Sequence, residues 1–199
     1  RRHTETSPFT LIAYSNSRQC GIALNFSSDY FEIFSIPIAW NLDLSELNRR
    51  YLSLQQEFHP DRYAKKSDLE QRLAVQMAAL INQAFETLKS PVHRAQYLLE
   101  LSGVVDDEPS KTTSDGVFLM QQIELREVLA SIPSSDDPWW ALDRLASSIR
   151  ASYTDLQSDF HQSFGAERFD EAHRTVAKMQ YFTKLLDQVR SLEDSLEDI

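Results

Sequence analysis

His59 and Asp61 stand two residues apart across Pro60, an imidazole and a carboxylate at the spacing of a general acid–base pair. Together with His93 they would supply three ligands to a hydrolytic metal. The rest of the chain argues against covalent chemistry. Its five histidines are scattered and complete no nucleophile–base arrangement. Cys20 is the only cysteine, so one chain offers no internal disulfide, no CxxC zinc site and no cysteine-held cluster. What surrounds the tripeptide is charge: Arg49, Arg50, Arg62, Lys65 and Lys66 make five basic groups between residues 49 and 66, against the two acids Glu57 and Asp61. That patch suits an acidic protein surface, although a solvated helix face accounts for the same charges.

Two helices have to place the tripeptide. Leu44, Leu47, Tyr51, Leu54 and Phe58 recur at steps of three and four, with Asp43 and Glu46 at capping-box spacing. Leu69, Leu73, Met77, Leu80, Ile81, Ala84, Phe85 and Leu88 form one face of a second helix that starts at Ser67 with Glu70 three residues on. Proline lacks an N–H and disfavours helix at the residue before it, so the spacing predicts a bend at His59–Pro60–Asp61 between antiparallel helices. A short aromatic helix with Tyr30, Phe31, Ile33, Phe34 and Ile36 precedes the pair. Another follows, with Ser90 as cap, Pro91 in its first turn and Gly103 at its end.

Few glycines (4) and prolines (7) in 199 residues, with long segments of Leu, Gln, Ala, Glu and Lys, predict an all-α protein. Residues 1–28 show no clear helical period and are left as an unassigned, poorly ordered extension. Residues 104–113, VVDDEPSKTT, lack periodicity and read as a linker between a domain over 29–103 and a three-helix bundle over 114–199, its helices near 115–132, 138–162 and 167–196. The charge is uneven. Residues 1–28 carry +2 (three Arg, one Glu), residues 29–103 carry −2 (eight basic, ten acidic), and residues 104–199 carry −10 (nine basic, nineteen acidic). The acidic half argues against nucleic acid as a partner. No apolar run approaches the roughly 20 residues that span a bilayer, so no membrane partner is expected. With a lone cysteine, a soluble protein of a reducing compartment is expected.

The segment 117–132 has more apolar surface than one stripe needs. At 100° per residue Phe118, Leu125, Val128, Leu129 and Ile132 share a core face, yet Leu119, Met120 and Ile123 point nearly opposite, beside Glu124 and Glu127. On the last helix Ala172, Val176, Met179 and Leu186 mark the core stripe, and Tyr181 projects away from it toward the same outer patch. Such a patch is either a partner site or a face covered from within the chain. Full burial of three aliphatic side chains is worth about 5–9 kcal/mol, little for micromolar binding once association costs are subtracted.

A short aromatic helix, a basic helix, His59–Pro60–Asp61 and a long helix containing INQAFETLKSP resemble a J domain, the module by which co-chaperones engage chaperone ATPases of the DnaK class. HRAQYLLEL, FLMQQIELRE and the acidic carboxyl half extend the likeness over residues 29–199 to the HscB (Hsc20) co-chaperones of iron–sulfur cluster assembly. The resemblance implies an L-shaped, non-enzymatic protein without a cofactor or resident metal. Its J domain would stimulate the ATPase of the chaperone HscA through His59, Pro60 and Asp61, with Arg49, Arg50, Arg62 and Lys65 as further contacts. Its bundle would bind the scaffold protein IscU through Leu119, Met120, Ile123, Glu124, Glu127 and Tyr181. Tyr181 stands where bacterial members often have Phe, and Ser131 where an acid can extend the patch. The paired CxxC motifs of zinc-binding eukaryotic members are missing, so a bacterial cytoplasm fits better than a mitochondrial matrix. A J domain serving another client, or a bundle used for dimerisation, is the alternative.

Overall fold

The computed structural model of the protein describes residues 29–103 and 115–197. The expectations for residues 1–28 and for the linker 104–113 lie outside them. The described residues form α-helices and one 3₁₀ turn, with no strand, as the composition predicts. In chain order the helices are α1 Tyr30–Ile33, α2 Leu44–Glu57, α3 Pro60–Tyr63, α4 Asp68–Lys89, α5 Pro91–Leu101, α6 Gly116–Ser131, α7 Pro138–Gly165 and α8 Phe169–Glu197.

Local chemistry explains most boundaries. Ser67 and Glu70 make a reciprocal capping box at the start of α4. Ser90 accepts the His93 N–H, and Pro91 opens α5 where its missing N–H costs nothing. Gly103, at φ +71°, follows the end of α5. Asp43 caps α2 through the N–H groups of Ser45 and Glu46, but the reciprocal half of the expected box is absent. The Glu46 carboxylate turns instead to Arg49 and Arg50. α7 runs on to Gly165, three residues past its expected end at 162, and in the turn that follows Glu167 takes the left-handed conformation at φ +56°.

The hairpin of α2 and α4 buries Leu47 and Leu54 against Met77, Ile81, Ala84, Phe85 and Leu88. Tyr51 stacks on Phe85 at 3.9 Å between ring centroids, and its hydroxyl meets Asn82, which also accepts from Gln55. Leu44 and Leu69, assigned by periodicity to the inner faces, are exposed, each in the first turn of its helix.

The third helix of the carboxyl half buries a longer stripe than periodicity gave it: Ala172, Val176, Met179, Phe182, Leu185 and Val189 are buried, while Leu186 is only partly so. α7 and α8 form the main hairpin, and α6 lies on it with Phe118 as its one buried residue. Val128, expected in the core stripe, is exposed. At the other end of the hairpin, Phe160, Ala172, Val176 and Met179 join the same hydrophobic cluster as α1, α2, α4 and α5, so a single core continues from one half of the chain into the other. α5 packs on α8 there.

Candidate functional site

The tripeptide is not a simple bend. His59 is the N-cap of α3, its Nδ1 accepting the Asp61 N–H at 3.3 Å, and Pro60 fills the first helical position. In a neutral imidazole an Nδ1 that accepts puts the proton on Nε2. The side chains of His59 and Asp61 are 58% and 91% exposed, and the Asp61 carboxylate lies 3.6 Å from Nδ1. A proline that terminates one helix also begins the next well, since its φ is already helical. The first property of Pro60 predicts the bend, and the second makes that bend a helix start.

α3 is held by the residues around it. Tyr63 lies parallel to Phe58 at the end of α2, with centroids 6.5 Å apart and planes 6° apart, and burial pushes its phenol up. Arg62 donates to the Gln56 carbonyl at 3.2 Å. The basic residues therefore divide. Arg50 donates through one terminal nitrogen to the carbonyls of Phe34 and Ser35, both at 2.7 Å, where Ser35 is left-handed at φ +51°. It is committed to tying the end of α1 to α2. Arg49 is exposed but paired with Glu46 at 2.6 Å, and the bonds from Arg49 and then Arg50 hold the Glu46 carboxyl at about 2, from an ordinary 4.5. Lys65 and Lys66 are exposed between α3 and α4.

His93 is exposed in the first turn of α5, beyond the far end of α4. That helix has 22 residues and so measures about 33 Å. The structure therefore does not bring His59, Asp61 and His93 together, and among the described residues no group of three His, Cys, Asp or Glu is placed to share a metal.

On α6, Leu119, Met120 and Ile123 are 51%, 57% and 44% exposed, with Glu124 and Glu127 exposed beside them. They form one outward apolar strip with an acidic margin. Ser131 bonds its own helix, donating to the Val128 carbonyl at 2.8 Å. Tyr181 departs from the expectation that it projects to this patch. It is half-buried between α8 and α6, edge-on to Phe118 and Phe182 at 5.6 Å each, and its hydroxyl donates to the Gln122 carbonyl at 3.1 Å. Arg126 covers the outer side of its ring at 5.7 Å. At the start of α6, Asp115 caps the Phe118 N–H and pairs with Lys178 of α8 at 2.7 Å, first that ammonium and then the amide holding its carboxyl below the usual range. Neither anchor was foreseen, because only the crossing of α6 and α8 brings their partners together.

The chain is similar to known proteins throughout this arrangement. Residues 114–190 match the family described as the HSCB C-terminal oligomerisation domain. The co-chaperone protein HscB of Proteus mirabilis is 37% identical over 170 residues, which span 85% of this chain and 98% of that protein. Chaperone HscB from Vibrio cholerae superposes with a TM-score of 0.79 at 36% identity, over 85% of this chain and 99% of that one. Human co-chaperone protein HscB gives the same TM-score at 25% identity, over 91% and 94%. With a cap-and-tripeptide turn at one end, an outward apolar helix at the other and this likeness over nearly the whole of its relatives, the chain belongs to the HscB family of co-chaperones.

Proposed function

We propose that this co-chaperone stimulates the ATPase of the DnaK-class chaperone HscA through His59, Pro60 and Asp61, and delivers to it the iron–sulfur scaffold protein IscU held on α6. The observation that carries the reading is the outward strip of Leu119, Met120 and Ile123, each about half exposed on a helix whose other face is already used. It stands on the same folded body as an exposed imidazole and carboxylate at a helix start. The protein makes and breaks no covalent bond. Its tripeptide shifts the conformational equilibrium of the chaperone, with Arg62 and Lys65 adding contacts to an acidic surface, Arg49 contributing from the exposed face of α2 and Arg50 setting that helix against α1. Glu124, Glu127 and the rim of Tyr181 border the scaffold surface. Holding scaffold and chaperone on one chain raises their effective concentration toward each other, in the bacterial cytoplasm where such machinery works. No helix among the described residues is long and apolar enough to cross a membrane.

The test is HscA ATPase measured with this protein, with and without IscU. Stimulation by the protein alone that rises further with IscU supports the reading, and no stimulation in either case refutes it. The description of the matched family as an oligomerisation domain favours a second reading, in which the α6 strip pairs two copies of the chain. Sedimentation of the wild type beside Leu119→Ala/Met120→Ala/Ile123→Ala distinguishes the two: a dimer lost in the variant supports pairing.

A further inference from the structure

Arg94 on α5 is only 7% exposed, and no carboxylate among the described residues pairs with it. A buried guanidinium without an acid is costly, and an apolar side chain would fill the same space without that cost. What the arginine makes instead is directional. One terminal nitrogen donates to the carbonyl of Leu88 at 2.8 Å, a group left unsatisfied by the end of α4. Its guanidinium lies 4.7 Å from the centre of the Trp40 ring, in the segment between α1 and α2. Trp40, 8% exposed, in turn meets the fully buried Phe160 of α7 at 4.7 Å with the planes 55° apart. Tyr153, also on α7, packs partly buried against the same cluster. Three parts of the chain meet here: the end of the hairpin that carries the tripeptide, the segment before α2, and the long helix on which α6 rests.

Small rotations at this point are magnified. α4 measures about 33 Å from Asp68 to Lys89 and packs on α3, so a 10° change at its Lys89 end moves the far end, and the tripeptide with it, by about 6 Å relative to α7. Apolar contacts between Phe160, Val176 and the α4–α5 side tolerate sliding, whereas a planar guanidinium stacked on one ring and bonded to one carbonyl does not.

We propose that Arg94 is a positioning residue that fixes the angle between the tripeptide-bearing hairpin and the α7–α8 pair, so that a client on α6 reaches the chaperone in one orientation. This rests on the function proposed above, in which both ends are occupied together.

The experiment uses the full chain with Cys20→Ser and nitroxide labels at Gln76→Cys on α4 and Arg190→Cys on α8, measured by pulsed electron paramagnetic resonance. A single narrow distance is expected with Arg94 present, and a distribution at least twice as wide in Arg94→Met and Arg94→Lys. The lysine keeps the charge and loses the planar stack. In unlabelled protein both variants should stimulate HscA alone, and bind IscU, within twofold of wild type, while the extra stimulation seen with IscU falls to the sum of the separate effects. A distribution as narrow as wild type in both variants overturns the proposal, as does a broadened one with the extra stimulation retained. Should Arg94→Met fail to fold, Trp40→Phe shrinks the stacking face and yields the same two readings. The distance measurement involves no partner, so it decides the angular role even if the chaperone and scaffold assignments fail.

Discussion

Replacing Leu119, Met120 and Ile123 together by alanine should weaken scaffold binding by an amount that the structure bounds. Full burial of three such side chains would be worth about 5–9 kcal/mol. They are 51%, 57% and 44% exposed, so close to half of each is already covered within the bundle. Only about one and a half side chains' worth of apolar surface remains to be buried, or about 2–4 kcal/mol. At 1.4 kcal/mol for each factor of ten, the Kd for IscU should rise by about 30- to 700-fold. Folding should change little, because the sites are on an exposed face and alanine is the best helix former. Calorimetric titration of IscU into both proteins measures the shift, and HscA stimulation without IscU serves as a control that should not move. A Kd within threefold of wild type would refute the assignment of this strip to the scaffold. A loss of unassisted stimulation would show that the two ends are not separate sites.

His59→Gln should abolish HscA stimulation and leave IscU affinity unchanged, as read by steady-state ATPase and by the same titration; persistent stimulation would remove the tripeptide from the mechanism. Tyr181→Phe deletes the hydroxyl bonded to the Gln122 carbonyl and should lower the unfolding free energy by about 0.5–1.5 kcal/mol in urea, with IscU affinity nearly kept. If affinity instead fell as far as in the triple alanine variant with stability intact, Tyr181 would be a direct contact rather than an anchor of α6. Because the Glu46 carboxyl is depressed to about 2 from 4.5, its stabilising contribution is complete above about pH 4.5 and is lost as pH falls through about 2. Urea unfolding of wild type and Glu46→Gln between pH 2 and 6 should show the difference between them shrinking toward the acid end; a difference that grows there would contradict the pairing.

Much of this fold is local in origin, and to that extent it was legible in the residues. The capping box at Ser67, the Ser90–Pro91 start of α5 and the stripe Ala172, Val176, Met179 depend on neighbours within a turn or two, and the structure reproduces them. Periodicity failed at Leu44 and Leu69, each in the first turn of its helix, and at Val128, which lies at the edge of the stripe whose centre Phe118, Leu125, Leu129 and Ile132 occupy. It also failed for Pro60, whose fixed φ serves a new helix as readily as it ends an old one. Arg49 and Arg50 illustrate a third limit. Charge counting made them equivalent, whereas the structure gives Arg50 two backbone carbonyls to hold and leaves Arg49 on the surface.

By itself, the sequence determined that the chain is helical, that an imidazole, a proline and a carboxylate lie together between two amphipathic helices, and that α6 carries more apolar surface than its bundle needs. Those are properties of spacing, and spacing is written along the chain. Only the tertiary structure decided that Tyr181 anchors α6 through a carbonyl 59 residues away. Only it set Arg94 against Trp40, and Trp40 against Phe160, where the two halves of the chain share a core. Which side chains meet across such separations depends on where and at what angle helices cross, and that angle follows from the packing of the whole core rather than from any one helix's pattern.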